Sequence, residues 1–147
     1  MKKSLGKYFA FLGRKTHQEL DKILEPFGVN ASTYRVLSKV SRQPGITQKD
    51  IAAFFDIDKA NITRAVNKLV EQNLLICQVD KSDKRKHRLF LTEDGKEITK
   101  KMEICMNKWQ EMILKDFSPE EQKHFYNLMD TIVENLRKSD REKDART

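Results

Sequence analysis

Lys59, Asn61, Thr63, Arg64, Asn67 and Lys68 lie on one side of a single amphipathic segment, and none is acidic. Asn and Arg side chains can pair bidentately with adenine and guanine edges, Thr can meet a thymine methyl, and Lys suits phosphate. An ordinary surface helix mixes both signs, and this one carries no acid until Glu71. The plain alternative is a polar solvated face. The opposite side presents Ile62, Val66, Leu69 and Val70 at i, i+4, i+7 and i+8, the spacing of one buried helical stripe. A second cluster follows. From Asp80 to Arg88 there are five Lys/Arg against two Asp, far more length and charge than a tight hairpin turn needs. Lys84, Arg85 and Lys86 are suited to the phosphate backbone or the minor groove. Asp83, two residues before Arg85, can hold that guanidinium in one orientation and so reduce the entropy lost on binding.

The elements around these clusters follow from periodicity and caps. Residues 5–25 are expected to form a helix with apolar groups at Tyr8, Leu12, Leu20, Ile23 and Leu24, ended by Pro26 and Gly28. Asn30 can cap a second helix with Tyr34, Leu37 and Val40 inside. Pro44-Gly45 makes a turn, and Thr47 caps a third helix, with Asp50 in its first turn and Ile51, Ala52 and Phe55 buried. Asp56 can take the left-handed conformation that the next turn requires. Asp58 caps the helix bearing the polar face, which is expected to end near Asn73. Strands are expected over 74–79 and 88–91, joined by the basic loop. Thr92 caps a long helix carrying Ile98, Met102, Cys105, Trp109, Met112 and Ile113. Ser118-Pro119-Glu120-Glu121 is a complete helix start, and Phe125, Leu128, Met129, Ile132, Val133 and Leu136 stripe the last helix. The fold class is therefore mainly α with a small β-hairpin wing.

Totals narrow the function. The 147 residues suffice for one domain with helical extensions, and Gly plus Pro occupy only eight positions. Net charge is +6 over 1–46, +3 over 47–92 and −2 over 93–147, so the basic excess precedes an ordinary solvated helical surface. The last two helices carry more apolar surface than the central unit can cover. That favours a partner chain over a hairpin folded back on the first helix. The first helix itself suits either dimerisation or a single helix lying across the domain. Cys77 and Cys105 sit in apolar sequence without CxxC spacing. His17, His87 and His124 are scattered, with no acidic partner at a useful spacing, so no enzyme, metal or cofactor is expected. Trp109 and the five Met residues read as core or dimer seam before a ligand box. No run approaches the length of a membrane span and no signal peptide opens the chain, so a soluble, cytoplasmic protein that engages no membrane is expected, nucleoid-associated if the polar helix face reads DNA.

Across 47–92 the sequence resembles the MarR family of winged helix-turn-helix regulators. PGITQKDIA, DIDKANITRAVNKLVEQNLL and DKSDKRKHRLFLTEDG stand in that family's order and spacing, and the flanking helices match its layout. Its most specific piece is Asp83-Lys84-Arg85 before a strand ending Leu91-Thr92. The resemblance implies a homodimer with dimerisation helices at 1–28 and 93–137, a winged helix-turn-helix unit at 29–92 and a polar tail at 138–147. It implies a recognition helix in the major groove and Arg85, steadied by Asp83, in the minor groove of a pseudo-palindromic operator. The implied DNA-contacting set is Thr47, Gln48, Lys59, Ala60, Asn61, Thr63, Arg64, Asn67, Lys68, Lys84, Arg85 and Lys86. Most members repress transcription until a small aromatic or phenolic effector binds between the lobes. The family often has Gly at the position of Asp56 and Pro at that of Lys81. Ser and Thr are frequent where Ala60 and Asn61 stand, so no relative's operator transfers. The cysteine that its redox-sensing branch carries in the first helix is absent. Two other readings remain, a protein-interaction winged helix and a non-specific nucleoid protein. The charge of Arg64, Lys68 and the basic wing is superfluous to the first, and base-reading Asn61 and Arg64 are superfluous to the second.

Overall fold

The computed structural model describes residues 4–145. The chain divides within its fifth helix into two compact units, residues 1–106 and 107–147. The first holds α1 (Leu5–Leu24), a single 3-10 turn (Glu25–Phe27), α2 (Ala31–Arg42), α3 (Gln48–Phe55), α4 (Lys59–Glu71), the hairpin β1 (Leu75–Val79) and β2 (His87–Leu91), and most of α5 (Glu93–Ile113). The second holds the end of α5 and α6 (Pro119–Asp144).

The helix starts are dictated locally. Asn30 accepts the Thr33 N–H while Thr33 Oγ1 accepts the Asn30 N–H, both at 3.0 Å, a reciprocal cap that contributes about 1 kcal/mol. Asp21 adds a long-range cap, its Oδ1 accepting the Ala31 N–H at 3.0 Å and tying α1 to α2. Thr47 and Asp58 cap α3 and α4, and Ser118 with Glu121 closes a reciprocal box on α6. Asp56 takes the left-handed conformation at φ 53°, so the turn forms without glycine. Asn73 does the same at φ 58° and stops α4.

The core of the first unit centres on Leu24, Leu37, Ile51, Leu69, Leu75, Leu89 and Met102, all essentially without exposure. Each such side chain contributes roughly 1.5–3 kcal/mol. From α4 come Ile62, Ala65, Val66 and Leu69. Val70, expected inside, is 41% exposed. At about 100° per residue it lies about 80° around the helix from Ile62, whereas Ala65 falls on the other side of the stripe and is buried instead. The hairpin pairs Leu75 with Leu91, Cys77 with Leu89 and Val79 with His87. Only Leu75 of β1 is buried, so the apolar Ile76 and Val79 stand in a wing that projects from the core. Cys77 is likewise exposed, not enclosed in apolar surroundings as its sequence neighbours suggested. The stretch expected as a polar tail is helical to Asp144. Glu134 pairs with Lys138 and Arg141 one and two turns on, and no Gly or Pro interrupts a run of good helix formers.

The start of α5 is seated by a close backbone approach. Thr92 Oγ1 donates to the Asn73 carbonyl at 2.7 Å and accepts the Gly95 N–H at 2.9 Å. A Cβ at Gly95 would lie 2.1 Å from the Leu74 carbonyl oxygen. Gly95→Ala is therefore expected to destabilise the protein by about 1–3 kcal/mol, despite the better helix propensity of Ala. Urea denaturation measures it, and a variant as stable as the parent would show that the backbone relaxes at no cost.

Candidate nucleic-acid interface

With Ile62, Ala65, Val66 and Leu69 committed to the core, α4 turns Lys59, Ala60, Asn61, Arg64, Asn67 and Lys68 to the exterior, all exposed. Thr63 is half-buried, and its hydroxyl faces two acceptors, Gln48 Oε1 at 2.7 Å and the Lys59 carbonyl at 3.0 Å. Gln48 thereby links the two helices of the helix-turn-helix, and the Thr63 methyl remains as its contact surface. Arg64 donates through Nη2 to Asn61 Oδ1. That contact orients both side chains and leaves the Asn61 amide hydrogens and the other guanidinium hydrogens for a partner. The Thr47 hydroxyl is already engaged, donating to Asp50 Oδ2 at 2.7 Å and accepting the Asp50 N–H at 3.2 Å.

The wing loop is ordered by a carboxylate that the sequence reading passed over. Asp80 is buried, and its Oδ1 accepts the Ser82 hydroxyl at 2.6 Å and the N–H groups of Ser82 at 2.8 Å and Asp83 at 3.0 Å. Its Oδ2 accepts Arg88 Nε, while Arg88 Nη1 donates 3.0 Å to the Gly45 carbonyl. Gly45 N–H donates to the Leu89 carbonyl and Leu89 N–H to that of Ile46, so the α2–α3 turn and β2 are stitched together. Asp followed by Ser two residues on is an Asx-turn pattern and could have flagged this residue. The Arg88 contact joins residues far apart in sequence and had no local signal. The Ser82 hydroxyl first, then Arg88, then the two backbone donors hold the Asp80 carboxyl well below the usual carboxylate range.

At the tip, Asp83 Oδ1 accepts the Arg85 N–H at 3.1 Å and lies 3.3 Å from Arg85 Nε. The Arg85 side chain is 92% exposed. Lys84 and Lys86 flank it, also exposed. A groove of about 670 Å³ runs between the wing and the starts of α3 and α4. It brings Thr47, Gln48, Lys59, Arg85 and Lys86 together and adds Lys49, His87 and Arg88. Ala60, Asn61, Arg64, Asn67 and Lys68 line the exposed length of α4 outside it.

The histidines need one correction. His17 does have an acidic neighbour, with Nε2 3.4 Å from Asp21 Oδ2 one helical turn away. The other oxygen of Asp21 caps α2, so the pair belongs to the scaffold. His87 and His124 are exposed.

Three comparisons bear on this geometry. The profile of the MarR family matches residues 27–86. Over 105 residues, 71% of this chain and 76% of the relative, the sequence is 30% identical to the uncharacterized HTH-type transcriptional regulator YwoH of Bacillus subtilis (strain 168). The crystal structure of a MarR transcriptional regulator from Methanosarcina mazei Go1 matches with a TM-score of 0.84 and 30% identity, covering 91% of this chain and 96% of that one. The S. aureus MepR–DNA complex matches with a TM-score of 0.81 at 19% identity, covering 90% and 96%, a likeness of fold.

Asp80→Asn removes the charge that gathers the wing root, so it should lower the denaturation midpoint at neutral pH and speed amide exchange at Ser82 and Asp83. Because folding depresses this pKa, the stabilisation is present above the ordinary carboxylate range near pH 4 and is lost as pH falls through the lower folded value. The deficit of the variant should narrow below about pH 4. A deficit that stays constant with pH would remove the Asp80 charge from this role.

Proposed function

This chain belongs to the MarR family of winged helix-turn-helix transcriptional regulators, and from that premise we propose that it is a homodimeric, sequence-specific repressor of double-stranded DNA operators, relieved by a small aromatic or phenolic effector. The observation that carries the reading is the exterior of α4. It has paired Asn61 and Arg64 at its centre, lysines at its flanks, and a basic wing beside it whose loop is held by Asp80 and Asp83. Asn61 and Arg64 are the base-reading candidates, with Ala60, Thr63 and Asn67 elsewhere on the outward side of the helix. Lys59, Lys68, Lys84 and Lys86 serve phosphates, Thr47 and Gln48 sit where a backbone strand would pass, and Arg85 reaches the minor groove.

Homodimerisation through 1–28 and 93–137 is supported by unburied apolar surface in each unit. α6 runs for 26 residues and buries none of them. Phe125, Leu128, Val133 and Leu136 are exposed on it, as are Tyr8, Phe11 and Leu12 on α1. Patches of this kind are covered in working proteins. None of the described helices is long and apolar enough to cross a membrane, and the proposed task places the protein on the chromosome, in the cytoplasm.

Selection of bound sequences from random duplex DNA, followed by titration against salt, tests the proposal. A two-fold motif with half-sites about 10 bp apart is expected. Binding without a motif would favour a nucleoid protein, and no binding a protein-interaction module. On the selected operator, Arg64→Ala should cost about 1–3 kcal/mol and relax one base-pair preference. Arg85→Ala should weaken operator and random DNA more evenly and flatten the salt dependence. Equal losses on both DNAs for Arg64→Ala would exclude base reading by this residue.

A further inference from the structure

We infer that a second cationic groove, between α2 and α4, holds a run of phosphates on the strand opposite the one beside the wing, with Arg35 as its anchor. The inference rests on the reading of the protein as a DNA-binding regulator and extends it to α2, which lies outside the helix-turn-helix and the wing. The groove has a volume of about 540 Å³, and α2 contributes Ser32 and Arg35 to it while α4 contributes Asn61, Arg64 and Lys68. No carboxylate lines it.

Helical geometry separates the two grooves. At about 100° per residue, Lys59 and Thr63 lie about 150° around the α4 axis from Asn61, Arg64 and Lys68. The first pair adjoins α3 and the wing, through the Gln48 hydrogen bond of Thr63 and the shared groove of Lys59. The second set adjoins α2. An α-helix with its side chains is about 10–12 Å across and the major groove is about 12 Å wide, so a helix seated there has a phosphate wall along each flank. One flank meets Lys59 and Lys86, and the other meets Arg35 and Lys68, while Arg64 at the groove edge stays turned to the bases.

The pairing of charges supports an anion in this place. On α5 and α6, Lys96, Lys101 and Lys138 each have a carboxylate three or four residues away. Among the described residues, Arg35, Arg64 and Lys68 form no ion pair, and Arg64 is bonded to the neutral Asn61. Three like charges converging in one concavity repel one another unless a polyanion joins them. Arg35 is also seated in advance. It is half-buried, with its guanidinium carbon 5.8 Å from the centre of the Phe55 ring, so little side-chain freedom remains to be lost on contact. Phosphate contact from this position carries no base information, which separates its role from that of Arg64.

Arg35→Gln and Arg35→Lys, titrated over a range of salt on the selected operator and on random duplex, test the inference together with phosphate-ethylation interference. For Arg35→Gln the expected result is a similar fractional loss of affinity on both DNAs, with the slope of log affinity against log salt reduced by about 0.9. Interference by phosphates on the α2-side strand should disappear while that on the wing-side strand persists, and Arg35→Lys should retain the parental slope. An unchanged slope and unchanged interference in Arg35→Gln would overturn the inference and leave Arg35 as a packing partner of Phe55. Interfering phosphates confined to one strand per half-site in the parent protein would also overturn it. A parent protein with no salt-dependent DNA binding would instead defeat the regulator reading on which it stands.

Discussion

Burial of one stripe of α4 decides what the rest of that helix can do. Ile62, Ala65, Val66 and Leu69 are held in the core with Leu37, Ile51 and Leu89. Rotating the helix either way would bury Lys59 and Thr63 on one side or Asn61 and Arg64 on the other, at a cost of several kcal/mol. The polar set therefore has no alternative to the exterior. The direction of each outward polar side chain follows from hydrophobic packing behind it, not from anything the polar residues do for themselves. Asn61 and Arg64 then restrain each other, so the exterior is partly ordered before any partner arrives.

A second constraint operates at the wing root. A hairpin with a seven-residue basic connection would ordinarily sample many loop conformations. Asp80 gathers the loop by accepting from Ser82, Asp83 and Arg88 with one carboxylate, and Arg88 passes the restraint on to the α2–α3 turn. Asp83 repeats the device at smaller scale for Arg85. The two acids in a loop of net positive charge reduce its attraction for an anion only slightly, and they shrink the conformational entropy lost on contact. Arg85 itself stays almost wholly exposed, which is what a reaching side chain requires.

Charge is arranged on the same principle. On the long C-terminal helices Lys96, Lys101, Lys138 and Lys143 each pair with a carboxylate within one turn, and among the described residues Lys59, Arg64 and Lys68 of α4 form no such ion pair. Overall net charge conveys little of this, since surface pairs at i+3 and i+4 contribute only a few tenths of a kcal/mol while removing an attractive field. Apolar surface shows the converse pattern, buried where α2, α3, α4 and the hairpin root meet and left open along α1 and α6.

The sequence by itself determined the elements and the amphipathic logic. Caps at Asn30, Thr47, Asp58 and Ser118, the left-handed Asp56 and the ends of α4 are set by residues within a turn of one another, and the hairpin pairs strands adjacent in the chain. The candidate interface was legible for the same reason, because helical spacing alone puts Lys59 through Lys68 on a common exterior and Asp83 within reach of Arg85. Local pattern went astray where burial depends on what lies opposite. Val70 continues the apolar spacing yet points past the edge of the core, Cys77 and Val79 look apolar but stand in a projecting wing, and the polar residues after Ser139 hold a helix through their own charge pairs. Only the tertiary structure decided the surroundings of Asp80, Arg88 and Arg35. Each is defined by a partner distant in the chain or on another element, at Gly45, across the hairpin or over Phe55. Periodicity records which residues share a face, whereas which face meets which neighbour is settled by packing.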